Sequence, residues 1–336
     1  MLHGHGDDIH NCKEVQANFS TNIYYKSNNS ILHSYIKENL DCINSYPEPD
    51  ARSLKIALGE FHKIESNNFI IGNGATEIFY LVAQYHKNKR TLIIVPSFAE
   101  YEDACRLHNH NIEFTNLKEI DKYDNSFDLI IICNPNNPNG FVYSKEVITN
   151  LLEKFTKSNL LIDEAFIDFI DEDISSIDLI KEYPRLMISR SMTKNYAIPG
   201  LRLGYLIGDK NIISEIEKYK QPWSVNSIAI EIGKFALKNH KSLLPDANLL
   251  NSDRLIFTEE INKIEGFECL PSSTPFFLVK TKYNSSRLKE YLKEKHLILI
   301  RDASNFRSLD NHYFRLNCLD KRRNNLLINA LKEYHG

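Results

Sequence analysis

Several things are missing from this sequence, and each absence removes a class of function. No apolar run approaches the roughly 20 residues needed to span a bilayer, so no transmembrane helix and no membrane role are expected. The 41 lysines and arginines are balanced by 44 aspartates and glutamates, a net charge of −3, and no basic stretch stands out. Such a chain has no field to gather nucleic acid or an anionic surface. The opening "MLHGHGDDIH" has neither a basic flank nor an apolar segment, which reads as the lack of a secretory signal. There is no internal repeat and no low-complexity tract. The six cysteines (Cys12, Cys42, Cys105, Cys133, Cys269 and Cys318) are scattered without a CxxC pair. That is the pattern of reduced thiols in a cytoplasmic enzyme, not of a disulfide framework.

What is present is a chain of 336 residues, long enough for one large domain and a smaller one. Between residues 69 and 208, short apolar runs alternate with amphipathic segments: "FIIG" (69–72), "TLIIV" (91–95), "DLIIIC" (128–133), "LLID" (160–163), "LMIS" (186–189) and "LGYLIG" (203–208). These fit strands buried on both faces of a mostly parallel sheet. Helices are expected at 75–87, 99–109, 145–157 and 210–220, which makes an α/β domain with a sheet flanked by helices. After residue 225 a long helical stretch (226–264) and the runs "FFLVK", "LILIR" and "YFRLN" suggest a smaller α+β domain. The expected division is 1–44 completing the small domain, 45–225 as the large domain and 226–336 as the small one.

In parallel α/β sheets, ligands sit beyond the carboxyl ends of the strands. Those ends carry "GNGATE", "PSFAEY", "NPNNPNG", "DEAFIDF" and "SMTKNYAIPGLRLGY". Each alone has a plain explanation: a glycine turn, a loop of turn formers, Asp163 as a helix cap, Lys194 as a solvated lysine. Together they form a chemical kit. A lysine that can make an imine, an acid that can pair with a pyridine nitrogen, and hydroxyls, helix-start amides and an arginine that can hold a phosphate are what pyridoxal 5'-phosphate needs.

In this order the five stretches resemble the fold-type I pyridoxal-phosphate enzymes, in the branch containing histidinol-phosphate aminotransferase. The resemblance implies that Lys194 is the lysine bonded to the cofactor and Asp163 the pyridine partner. It implies that Asn137 bonds the cofactor's phenolic oxygen, and that Gly74, Ala75, Thr76, Ser191 and Arg202, with Thr193 beside them, cradle its phosphate. Phe98 falls where an aromatic stacks on the pyridine ring, or is a core aromatic. Tyr46 matches a tyrosine that reaches the neighbouring subunit's cofactor, which implies a homodimer with a shared active site; otherwise it is a tyrosine before a turn proline.

"HGHGDD", "FAEY", "DEAFIDF", "YAIPGLRLGYL" and "QPWSVN" bring the chain closer to decarboxylases of phosphorylated amino acids within this branch. Phe166 stands where the branch's aminotransferases usually carry Tyr, and Asn139 departs from the usual "NPTG". Two anionic groups on a substrate call for two guanidinium forks. The resemblance makes Arg315 the carboxylate clamp, and gives the substrate phosphate to Arg301 with His5, Gly6 and Asn22. The expected reaction is decarboxylation of L-threonine O-3-phosphate for cobalamin biosynthesis. Serine phosphate as substrate, and amino transfer between histidinol phosphate and 2-oxoglutarate, stay open. His3, His5, His10 and Cys12 make a weak zinc signal, as do His108 and His110, and no metal is expected.

Overall fold

The computed structural model describes residues 9–25 and 30–336. A two-residue strand β1 (Ala17–Asn18) and helices α1 (Ser30–Glu38) and α2 (Arg52–His62) precede the main layer. That layer follows as β2 (Phe69–Asn73), α3 (Gly74–Tyr85), β3 (Arg90–Ile94), α4 (Glu100–Leu107), β4 (Asn111–Thr115), β5 (Leu129–Cys133), α5 (Lys145–Lys154), β6 (Asn159–Asp163), β7 (Leu186–Ser191), β8 (Leu203–Gly208) and α6 (Lys210–Glu217). Seven strands pair in the order β2-β8-β7-β6-β5-β3-β4. β3 to β7 pair in parallel, while β8 runs antiparallel to both of its neighbours.

The continuous apolar runs are explained by cover on both faces. In β5 every residue is buried, and alternate side chains enter opposite cores. Ile130 and Ile132 join the core containing Leu54 and Leu58 of α2 and Leu151 of α5. Leu129, Ile131 and Cys133 join the core containing Ile78 of α3, Ala104 of α4 and Ile213 of α6. Each such aliphatic side chain contributes roughly 1.5–3 kcal/mol by burial. The edge strand β4, "NIEFT", alternates polar and apolar residues and is only partly buried, so it lacks the continuous run that marks the others.

The remainder is α7 (Ser227–Lys238), α8 (His240–Leu243), α9 (Ala247–Asn262), β9 (Phe267–Cys269), β10 (Phe276–Thr281), α10 (Ser285–His296), β11 (Ile298–Leu299), β12 (Arg301–Asp302), β13 (Tyr313–Asn317) and α11 (Lys321–Lys332). The single helical stretch expected over 226–264 is therefore corrected to three helices. Pro245 has no backbone N–H and forces Leu244 to extend, at φ −68° and ψ 150°. Asp246 then restarts the chain by capping α9, accepting from Leu249 N–H. Strands β12, β13, β10 and β9 form a second, antiparallel sheet in that order, and β1 pairs in parallel with β11.

Ala17 and Phe19 lie in the core of the smaller sheet. Leu32 of α1 and the apolar stripe of α7 lie in the larger core instead. A Cβ on Gly233 of α7 would come within 2.9 Å of Leu203 and 3.0 Å of Leu54. Packing thus puts α1 and α7 across the expected boundaries at 44/45 and 225/226, because close helix contact rather than composition decides which core they fill.

Candidate active site

Helix starts separate into two groups. α5, α6, α7, α9, α10 and α11 begin on Ser144, Asp209, Asn226, Asp246, Asn284 and Asp320, and each side chain accepts a hydrogen bond from its own first turn. α2, α3, α4 and α8 have no side-chain cap from Ala51, Asn73, Ala99 and Asn239, and two of these, α3 and α4, bear on the site. Their first backbone N–H groups are left for something else. Both helices start at the carboxyl edge of the large sheet, beside one cavity.

That cavity measures about 240 Å³ and is lined by Ala75, Thr76, Phe98, Asn137, Asp163, Ser191, Lys194 and Arg202 from the large sheet's edge. Asn22, Arg301 and Arg315 line its other side. The topology explains the convergence. Phe98, Asn137, Asp163 and Lys194 follow or end the parallel strands β3, β5, β6 and β7. β8 is antiparallel, so Arg202, just before its first residue, stands at the same edge. Gly74 takes φ +80°, and a Cβ there would lie 2.5 Å from Arg202 Nη2. A Cβ on Gly204 would lie 2.5 Å from the Ala75 nitrogen. Both glycines let strand, helix start and guanidinium close on one point. Arg202 and Ala197 have positive φ, 56° and 51°, strain of the kind that collects at functional sites.

Asp163 is buried and accepts twice: from Tyr101 Oη at 2.5 Å and from Ala165 N–H at 3.0 Å. Burial pushes its carboxyl up to about 6, against those two donors and the charge of Lys194. Ser191 and Thr193 share a hydroxyl hydrogen bond of 2.8 Å. The Lys194 carbonyl accepts from Tyr24 N–H at 3.1 Å, and the adjacent Asn195 donates to Asp168 at 2.6 Å. The loop carrying Lys194 is therefore held on both sides. Asn139 accepts from Phe141 N–H at 3.0 Å and from Asn136 Nδ2 at 2.8 Å, so the departure from the usual threonine is built into the turn that presents Asn137.

The opposite wall comes from the smaller sheet and the segment after β1. Arg301 and Arg315 are direct cross-strand partners in the antiparallel pair β12–β13. Like charges so placed repel. Arg315 is buried, and its Nη groups donate to Asn137 Oδ1 and to the Ser20 carbonyl, each at 2.5 Å, while Nε has no partner. No carboxylate among the described residues pairs with it. Burial, and then the charge of Arg301, push its guanidinium down to about 9, still a cation at neutral pH. Asn22 is 4% exposed, and neither its Oδ1 nor its Nδ2 has a hydrogen-bond partner. A buried amide in that condition is costly unless a ligand meets it.

Tyr46 is not in this cavity; it is 89% exposed. His5 and Gly6 lie outside the described residues. Sequence reasoning missed Ser20, Thr21, Phe79, Asn305 and Phe306 on the lining, and Tyr101 behind it. Tyr101 comes three residues after Phe98, just inside α4, and their rings meet edge-on; both aromatics were visible in "FAEY".

The class I and II aminotransferase family model matches residues 14–331. The chain belongs to that family. Among solved structures, this family member is similar to the L-threonine-O-3-phosphate decarboxylase of Porphyromonas gingivalis, at 36% identity and a TM-score of 0.91, covering 94% of this chain and 98% of that one. It is 32% identical over 308 residues to the threonine-phosphate decarboxylase of Salmonella typhimurium, covering 88% of this chain and 84% of that protein. It is also 32% identical over 306 residues to the histidinol-phosphate aminotransferase of Thermoanaerobacter pseudethanolicus, covering 87% and 84%. The α/β fold is thus the fold-type I architecture, and the protein is a pyridoxal-phosphate-dependent enzyme. The donors present fit that cofactor: a lysine and a buried acid on successive strand ends, and an uncapped helix start closed by glycine against an arginine.

Proposed function

We propose that this aminotransferase-family enzyme decarboxylates L-threonine O-3-phosphate, giving (R)-1-amino-2-propanol O-phosphate and carbon dioxide for cobalamin biosynthesis. The observation that carries this reading is the Arg301–Arg315 pair. Two guanidiniums held in register on one cavity wall, one of them buried without a carboxylate, suit a substrate with two anionic groups. Phe166 adds support. It lines the cavity and packs edge-on against Phe276 at 4.7 Å, and it has no hydroxyl to donate.

When bound, pyridoxal phosphate supplies an electron sink for the pair left at the substrate's α-carbon. Lys194 holds the cofactor aldehyde covalently, and Asp163 holds a proton on the ring nitrogen. Ala75 and Thr76 N–H groups, with Ser191, Thr193 and Arg202, hold the cofactor phosphate, and Gly74 makes room for Arg202. Asn137, its Oδ1 taken by Arg315, offers Nδ2 to the phenolic oxygen, and Phe98 covers the ring face. Arg315 grips the substrate carboxylate; Arg301 and Asn22, with His5 and Gly6, hold its phosphate. Arg315 would fix the orientation of the carboxylate, and that placement, with binding energy from the distant phosphate, would favour loss of carbon dioxide. Loss of the α-proton instead would give amino transfer.

A homodimer with a shared active site belongs to the same reading. Tyr46 and Trp223, with ring centroids 6.0 Å apart, are both exposed, an aromatic pair that a second copy would cover while Tyr46 reaches its cofactor. Cytoplasmic localisation accords with the six cysteines, none of which forms a disulfide among the described residues. No helix among those residues is long and apolar enough to cross a membrane.

The second reading, amino transfer from histidinol phosphate, is favoured by the similar identity to the Thermoanaerobacter enzyme. Serine phosphate differs from threonine phosphate by one methyl, worth about 1 kcal/mol of packing. Purified protein loaded with cofactor should release carbon dioxide and aminopropanol phosphate from L-threonine phosphate, faster than it acts on L-serine phosphate. Glutamate formed only from histidinol phosphate and 2-oxoglutarate would overturn the assignment.

A further inference from the structure

Asp163 owes its place to β6, but a residue outside that strand holds one of its oxygens. Tyr101, on α4, is 1% exposed, and its hydroxyl donates to Asp163 Oδ2. The ring cannot swing away. It stands edge-on to Phe79 at 4.9 Å and 87°, and edge-on to Phe98 at 5.9 Å and 86°. Phe79 and Phe98 both line the cavity.

We infer that Tyr101 is a positioning residue: its hydroxyl keeps Asp163 an oriented carboxylate, so that the acid faces the cofactor's ring nitrogen as an anion. The inference rests on the pairing of Asp163 with that nitrogen. Burial alone favours the neutral acid, and a neutral acid gives the ring cation no counter-charge. A hydrogen bond donated to the carboxylate opposes this. The other groups facing Asp163 do not replace it. Ala165 N–H serves the other oxygen, Oδ1. The Cys133 thiol, kept protonated by burial, donates to the same Oδ2 only across 4.0 Å, a much longer and weaker contact than that of Tyr101. Lys194 attracts negative charge to Asp163, and Glu164 repels it. Tyr101 itself is held protonated, by burial first and then by the charge of Asp163, so it stays a donor. The contact with Phe98 joins the acid's support to the aromatic wall of the cavity, and one side chain thereby sets both surfaces.

The test is Tyr101→Phe, which removes the hydroxyl and keeps the ring. Two measurements beside turnover decide it. In the cofactor-free protein, the Asp163 carboxyl stretch, followed by isotope-edited infrared difference against Asp163→Asn, should titrate at a higher pH in the variant. In binding, pyridoxal phosphate should be held roughly ten- to a hundredfold more weakly by the variant. A deaza analogue, with carbon for the ring nitrogen, should bind wild type and variant alike, and Tyr101→Phe should add nothing in an Asp163→Asn background. An unshifted carboxyl titration, or equal losses with cofactor and analogue, would overturn the inference and leave the Asp163 pairing standing. If Asp163→Asn leaves cofactor binding unchanged, the pairing fails and the inference fails with it.

Discussion

The two walls of the cavity are finished to different degrees. On the wall made by the seven-stranded sheet, Asp163, Ser191 and Thr193 already have hydrogen-bond partners, and the loop bearing Lys194 is tied to Tyr24 and Asp168. On the wall made by the antiparallel sheet and the segment after β1, Asn22 has none for its amide and Arg315 has no counter-ion among the described residues. The first wall is preorganised for a resident group that stays through many turnovers. Under the proposed function, the second would meet a transient anionic ligand, whose binding energy would then be available for orientation.

This contrast can be broken from either side. Lys194→Ala strikes the finished wall and should have the largest effect: turnover falls by more than about a thousandfold, and borohydride treatment no longer fixes the cofactor to the chain, as peptide mass spectrometry would report. Retained turnover would remove Lys194 from its role. Arg315→Met strikes the other wall. It should lower kcat/KM for L-threonine phosphate about a hundredfold, in line with loss of a buried charge-assisted pair, while cofactor affinity stays within about threefold. Equal loss of cofactor binding would erase the division between the walls. The smallest effect comes from Asp163 in the cofactor-free protein. Its folded pKa, about 6, lies above the ordinary carboxylate value of 3.8, so the folded chain binds that proton more tightly than the unfolded chain. The stability it contributes is full well below pH 3.8 and is lost as pH rises through 6, a change of about 2 kcal/mol between pH 4 and pH 7. Denaturant melts of wild type and Asp163→Asn at pH 4 and pH 7 should diverge by that amount; a pH-independent difference would contradict it.

The finished wall was legible because its chemistry sits at strand ends, and buried parallel strands announce themselves as apolar runs. Asn137, Asp163 and Lys194 follow such runs directly. β4 escaped because an edge strand keeps one side polar, and the break at Pro245 escaped because α7, α8 and α9 share a continuous helical composition. The other wall was harder. Arg301 and Arg315 were visible as residues, but their pairing depends on the β12–β13 register, which the sequence pattern does not specify. The Tyr101 contact bridges α4 and β6 across the core, and no local spacing encodes it. Tyr46 was singled out only by resemblance, and this single chain leaves it in solvent.

The side-by-side guanidiniums of β12 and β13 also have a practical side. Two fixed positive groups make the resting molecule sensitive to the salt around it. Under the proposed function, sulfate or inorganic phosphate in a buffer should bind beside them, raise the melting temperature by mass action and compete with a phosphorylated substrate. The choice of buffer is thus already a ligand-binding experiment on this protein.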